Sequence, residues 1–182
     1  MDDESKEQDH ASFESQYGKF ISFVTEFVQK KIVETYHLQE VWIPEDRFVD
    51  QKYHSKPKCN VFMSLEFKLP KPDQNSGRKA LVLIQGSGST RAGIWANSVC
   101  MNESLEMGSM LPMLDTCRNL NIPLLVMNPN LNSDPETGVS IPFSMTMAEH
   151  ACYVWEQYVL PSGFNQISVI AHSSGGECLA AI

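Results

Sequence analysis

The chain has no apolar run approaching the ~20 residues that a membrane-spanning helix requires. Its N-terminus, MDDESKEQDH, is acidic and lacks the basic-then-apolar order of a secretory leader. No C-x-x-C pair occurs. Cys59, Cys100, Cys117, Cys152 and Cys178 are odd in number and widely spaced. That argues against a zinc site or disulfide framework and for free thiols in a reducing compartment. Positive charge is scarce: 14 Lys and Arg stand against 22 Asp and Glu, giving a net charge of −8, with no basic cluster. Attraction to a phosphate backbone is therefore disfavoured. There is no internal repeat and no low-complexity tract. These absences leave a soluble, intracellular chain as the expectation, with no membrane partner, no metal and no cofactor.

What is present is a globular composition. The 182 residues are 42% hydrophobic and 20% charged, enough for one domain with a real core. Residues 1–11 read as a disordered acidic leader and 12–182 as the domain. Phe13, Tyr17, Phe20, Ile21, Val24, Phe27, Val28 and Ile32 recur at helical spacing. Val41-Trp42-Ile43 before Pro44 is a short strand. Val61, Met63, Leu65 and Phe67 alternate with Phe62, Ser64, Glu66 and Lys68, the pattern of a half-buried strand. Across the polar turn Pro70–Arg78 it is a candidate antiparallel hairpin partner of Ala80–Ile84 (ALVLI). That second run is unbroken, as in a strand covered on both faces.

Beyond a Gly-rich loop, Gln85–Gly93, the pattern predicts a helix over Ser109–Asn119 with Pro112 in its first turn. A second buried strand, Leu124–Met127, ends at Asn128-Pro129-Asn130. Thr146-Met147-Ala148-Glu149 matches a capping box. The helix it opens places Met147, Ala151, Val154, Trp155, Tyr158 and Val159 on one face, and Ile167–Ala171 is a third buried strand. Alternating strands and helices mean an α/β fold with a mostly parallel sheet and crossover helices.

Two segments carry candidate chemistry. The loop Gly86-Ser87-Gly88-Ser89-Thr90-Arg91-Ala92-Gly93 fails as a dinucleotide fingerprint, because Arg91 stands at the third glycine. It fails as a P-loop, because Ile94-Trp95 replaces the Lys-Ser/Thr pair. What remains is an oxyanion-hole loop, whose backbone N–H groups approach a developing negative charge, or a plain tight turn. Ala171-His172-Ser173-Ser174-Gly175 fits the small-x-Ser-x-small form of a nucleophile elbow. Ser173 sits at its tip, and Ser174 is placed to give an oxyanion N–H. Loop, strand and elbow follow the order of a three-layer α/β-hydrolase-like fold.

A working serine needs a histidine base, which in this fold follows the nucleophile. Residues 174–182 contain neither His nor Asp. His150 lies in the capped helix near its core-facing stripe. His172, adjacent to Ser173, is expected to point away from it, and His10, His37 and His54 fall in the leader or early connections. The triad is incomplete, and the strands that usually flank the third one are expected to be missing at the C-terminus.

VLIQGSGSTRAGIWA (Val82–Ala96), NPNLN (Asn128–Asn132), AEHACYVWEQYV (Ala148–Val159) and VIAHSSGG (Val169–Gly176) together resemble the Argonaute-binding (Arb-two) domain carried by animal cotranscriptional regulators. The Gly-Ser-Gly loop followed by Arg91-Ala92-Gly93 and Trp95 carries most of the likeness. The resemblance runs from about residue 15 to the end and covers the N-terminal part of the domain. It implies an α/β-hydrolase-like fold used mainly for association, with an Argonaute-family protein and its small-RNA silencing complex as partner. Heterochromatin formation, splicing regulation, siRNA binding and a nuclear location, with the cytoplasm also open, follow from the same likeness. Arg91 and Trp95 are then structural or binding residues. Three departures stand out: Gln85 where relatives usually have His, Ser174 where an aromatic is common, and a short Leu131–Met145 in place of a long charged insertion. The function expected is a non-catalytic scaffold. The alternative is a serine esterase or acyl hydrolase using Ser173, its triad completed by residues beyond this chain.

Overall fold

An unbroken apolar run survives in water only where every side is covered, and the run at 80–84 is inside the sheet. A computed structural model describes residues 3–69 and 78–182, with 3–15 as backbone only. It shows five strands: β1 (Gln39–Ile43), β2 (Cys59–Met63), β3 (Lys79–Ile84), β4 (Leu124–Val126) and β5 (Gln166–Ala171). Their order is β1-β2-β4-β3-β5. β4, β3 and β5 are parallel, with Val82 paired to Leu125 on one side and Val169 on the other. β1 and β2 extend the sheet antiparallel beyond β4.

Helices cover both faces, giving three layers. On one face α1 (Asp3–Glu34) and α4 (Leu111–Asn119) bring Val28, Ile32 and Leu114 against Phe62, Leu83 and Val126. On the other, α5 (Met147–Val154) and the π-helical turn that continues it, Trp155–Val159, set Ala151, Val154, Tyr158 and Val159 against Val61, Val82 and Leu125. The predicted apolar stripe of this helix is the one that is buried. Its first turn is capped as expected, Thr146 Oγ1 accepting from the Glu149 N–H at 3.1 Å, while Glu149 reaches back to the Met145 N–H at 2.9 Å.

α1 begins at Asp3, within the segment expected to be an acidic leader, and four expectations elsewhere are corrected. Glu, Lys, Gln and Ala are good helix formers, and extending a nucleated helix is easier than starting one. β2 does not form a hairpin with β3; it pairs with β1 and β4 instead. It is also buried along its whole length rather than on alternate residues, since Phe62 enters one core while Val61 and Met63 enter the other. Leu65–Phe67 belongs to a 3-10 turn, not to the strand. The connecting turn itself, residues 70–77, lies outside the described residues. Finally, β5 is not covered on both sides: among the described residues it pairs with β3 alone, and Ile170 is 37% exposed. Two short helices that periodicity did not reveal, α2 (Asn97–Asn102) and α3 (Leu105–Gly108), carry the chain from the Gly-rich loop to α4.

Candidate functional site

At the C-terminal ends of β3 and β5 the chain makes two tight departures side by side. β5 runs into His172-Ser173-Ser174 and then into α6 (Gly175–Ala181). Ser173 takes φ +52°, a left-handed conformation that a non-glycine residue adopts only under constraint. The constraint is visible on both sides of it. The His172 N–H donates to Ile84 O at 3.0 Å, and the Gly175 N–H donates to His172 O at 2.9 Å. Gly175 also explains the small residue two places after the serine: a Cβ there would meet the Ile84 and Gln85 carbonyl oxygens at 2.8 Å each. Gly175→Ala is therefore expected to cost about 1–3 kcal/mol through backbone displacement. A urea unfolding midpoint unchanged from the parent would contradict this.

The Gly-rich loop after β3 forms the facing wall. Gly86 approaches the elbow so closely that a Cβ would lie 3.0 Å from Ser173 Cβ. The Ser174 hydroxyl donates to Ser87 Oγ at 3.1 Å, tying the two segments together. Between them lies a cleft of about 280 Å³ that includes Gly86, Ser87, Gly88, Trp95, His172 and Ser173. Among the described residues, none lining it is Asp or Glu. The structure thus gathers the oxyanion-loop candidates Gly86, Ser87 and Gly88 with Ser173 and Ser174. The arrangement, a residue after the serine and a loop after β3, is where hydrolase elbows place their oxyanion donors.

His172 lines this same cleft, rather than pointing away as the sequence suggested. Its ring lies beside Gly86 and 6.2 Å from the Trp95 ring, in a tilted arrangement. Among the described residues no histidine hydrogen-bonds Ser173. His150 is wholly buried elsewhere: Nε2 accepts the Asn128 N–H at 3.0 Å and Nδ1 lies 3.0 Å from Ser144 Oγ. With Nε2 occupied as an acceptor, the neutral Nδ1–H tautomer is fixed, and burial pushes the pKa down to about 3. It is a structural histidine.

The loop is held from below by asparagines that the sequence marked only as the end of a strand. Asn128 Oδ1 accepts from Gln85 Nε2 at 3.2 Å and from the Ala92 N–H at 3.0 Å, while its Nδ2 donates to Asn60 Oδ1 at 2.7 Å. Asn130 Nδ2 donates to the Gly86 carbonyl at 2.5 Å and to Thr90 Oγ1 at 2.9 Å. Asn132 Nδ2 donates to Pro129 O and Ser144 O, organising the following loop. The signal for all three is the Asn-x-Asn-x-Asn spacing in NPNLN. Gln85 is fully buried in this network and does not face the cleft.

Arg91 is half-buried, its guanidinium donating to Thr90 O at 3.1 Å, and burial lowers its pKa. Among the described residues no carboxylate pairs with it. It lines a second cavity between α1 and the loop, which adjoins the cleft at Ser89 and Tyr17. Trp95 is anchored through its main chain, the backbone N–H donating to Gly108 O at 2.8 Å. Among the described residues no group of three His, Cys, Asp or Glu could hold a metal ion, and no helix is long and apolar enough to cross a membrane. Cys59, Cys100, Cys117 and Cys178 are buried free thiols, and Cys152 is half-buried.

Sheet order, the Ser173 turn and the facing loop define an α/β protein in which the ends of β3 and β5 meet at one cleft. The chain belongs to the Arb2 domain family, whose model matches residues 5–136. It is 36% identical over 122 residues to a FAM172 family protein homolog of Caenorhabditis elegans, covering 67% of this chain and 36% of that protein. It is 26% identical to a cotranscriptional regulator ARB2A homolog of Dictyostelium discoideum, over 90% of this chain and 47% of the relative. With the cotranscriptional regulator ARB2A of Mus musculus the identity is 24%, over 94% and 51%. The chain thus spans about half the length of the ARB2A relatives it matches, and less of the nematode one. No solved structure matches it.

Proposed function

We propose that the chain is a non-catalytic scaffold that binds an Argonaute-family protein in small-RNA-linked heterochromatin formation and cotranscriptional regulation in the nucleus. Membership of the Arb2 family and the cotranscriptional-regulator names of its relatives support the regulatory part. The observation that carries the non-catalytic part is Ser173, set in an elbow with no histidine bonded to it among the described residues. At a net charge of −8 the small RNA is brought by the partner rather than gripped by this chain. The test is capture of a purified Argonaute-family protein by the immobilised chain. Retention is expected for the parent and for Ser173→Ala, and loss for Trp95→Ala or Arg91→Ala. Absence of retention by the parent overturns the reading.

One observation favours a second reading, a serine esterase or acyl hydrolase. The φ of +52° at Ser173 and the free N–H of Ser174 beside the Gly86–Gly88 loop form an oxyanion-type site. In that case the acid and histidine come from residues outside this chain. Fluorophosphonate labelling that disappears in Ser173→Ala selects this reading; no labelling selects the scaffold.

A further inference from the structure

The loop and elbow share one feature. Among the described residues, the backbone N–H groups of Gly86 through Arg91 have no protein acceptor, and neither do those of Ser173 and Ser174. Carbonyls in the same loop are engaged instead, Gly86 O by Asn130 and Thr90, and Ala92 O by Gln29. The loop is therefore fixed through its acceptors while its donors stay open. Of these residues Gly86 through Thr90 and Ser173 line the cleft, which also holds the hydroxyls of Ser87, Ser89 and Ser173. Among the described residues, no Asp or Glu belongs to that lining.

Open backbone N–H groups in a concave glycine loop bind anions, by presenting fixed partial positive charge without the mobility of a lysine. We propose that this cleft is a binding site for a phosphomonoester dianion, held non-covalently between the Gly86–Ser89 loop and the elbow. A tetrahedral anion suits it better than a carboxylate. Donors arrive from two separate segments, and an elbow of this shape is built around a tetrahedral centre at the serine. Arg91, in the adjoining cavity that shares Ser89, adds positive charge; Glu26 lies on the lining of that second cavity, not of the cleft. Trp95 and His172 form an aromatic wall, which fits an ester whose alcohol carries a planar ring. The site needs neither a base nor a second half of a triad, and it is measured separately from Argonaute capture.

The experiment is calorimetric titration of the purified protein with inorganic phosphate, a nucleoside monophosphate, glycerol 3-phosphate and the parent nucleoside. Saturable binding of the phosphates and none of the nucleoside is expected. Tighter binding of the nucleoside monophosphate assigns the ester to an aromatic source, and tighter binding of glycerol 3-phosphate to an aliphatic one; either retains the anion site. The deciding comparison is Ser173→Asn with Ser173→Asp. Both residues tolerate positive φ, so both keep the elbow. Ser173→Asp is expected to bind phosphate more than about tenfold more weakly than Ser173→Asn, whose side chain has the same shape without the charge, through like-charge repulsion. Equal affinity of the two variants, or no saturable binding of any phosphate by the parent, overturns the proposal.

Discussion

Asn128→Ala is expected to lower stability by about 4 kcal/mol, one of the two largest effects that a single side chain in this chain should show. The reason lies in direction as much as in number. The Glu40 carboxylate only accepts, so the Asn60 amide must turn its Nδ2 toward it, at 2.8 Å. Asn60 Oδ1 then faces inward and receives Asn128 Nδ2 at 2.7 Å, leaving Asn128 Oδ1 to take Gln85 Nε2 and the Ala92 N–H. Every amide in the row is oriented by the one before it. The row ends at Gln85 Oε1, a buried acceptor with no partner, so the network is already at its limit. Alanine at 128 leaves three further buried groups unpaired: Asn60 Oδ1, Gln85 Nε2 and the Ala92 N–H. Each unpaired group costs about 1–3 kcal/mol. The main-chain bonds of residue 128 to His150 and Leu131 survive, which keeps the total below a simple sum. Urea unfolding at pH 7.5 measures it, and a loss below about 1.5 kcal/mol would show that water enters and satisfies the row. Because Ala92 is held through both its N–H and its carbonyl, by Asn128 and Gln29, the same variant should also loosen the loop facing Ser173.

Much of the fold was legible because it rests on burial periodicity. The run ALVLI, the capped helix at Thr146 and the stripe ending at Val159 each declare what they pack against, and each is found there. The elbow was legible for a different reason: the small-x-Ser-x-small spacing encodes a steric demand, and Gly175 meets it within 2.8 Å of two carbonyls. What could not be read is pairing. β2 alternates like a half-buried strand, yet its position between β1 and β4 buries both faces, a consequence of sheet order that no local pattern states. β5 shows the reverse case: a run composed like a central strand stands, among the described residues, at the edge. The polar network was hidden as well. Asparagines after a strand look like a turn, and only the folded arrangement brings Asn60, Gln85 and Asn128 together from three strands' ends.

Acidification from pH 6.5 to pH 5 is expected to remove roughly 1.5 kcal/mol of stability through His150 alone. In the folded chain its pKa is pushed down to about 3 by complete burial. Nε2 is already the acceptor for the Asn128 N–H, so a proton has nowhere to bind without breaking that bond. Unfolding frees the ring to its ordinary value near ~6.5. Between these two values the unfolded chain binds one proton more than the folded one. Stability is therefore complete above the unfolded pKa and falls as pH drops toward the folded one, by up to about 1.4 kcal/mol per pH unit. Glu45 and Asp46, whose carboxyls are held below their usual range by hydrogen bonds and neighbouring cations, and Asp134, held low by hydrogen bonds from Thr137, act in the same direction but only at lower pH. Their stabilisation is present above the ordinary carboxylate pKa of about 4 and is lost below it. The interval from pH 6.5 to 5 thus belongs to the histidine. Urea midpoints across that interval should fall for the parent and stay flat relative to it in His150→Gln. If the variant does not fold, the parent still decides: the His150 ring carbon and proton shifts should not move down to about pH 4 in the native protein. A His150 resonance that titrates near pH 6 would mean that water reaches the ring, and that the asparagine row beneath the loop is wet.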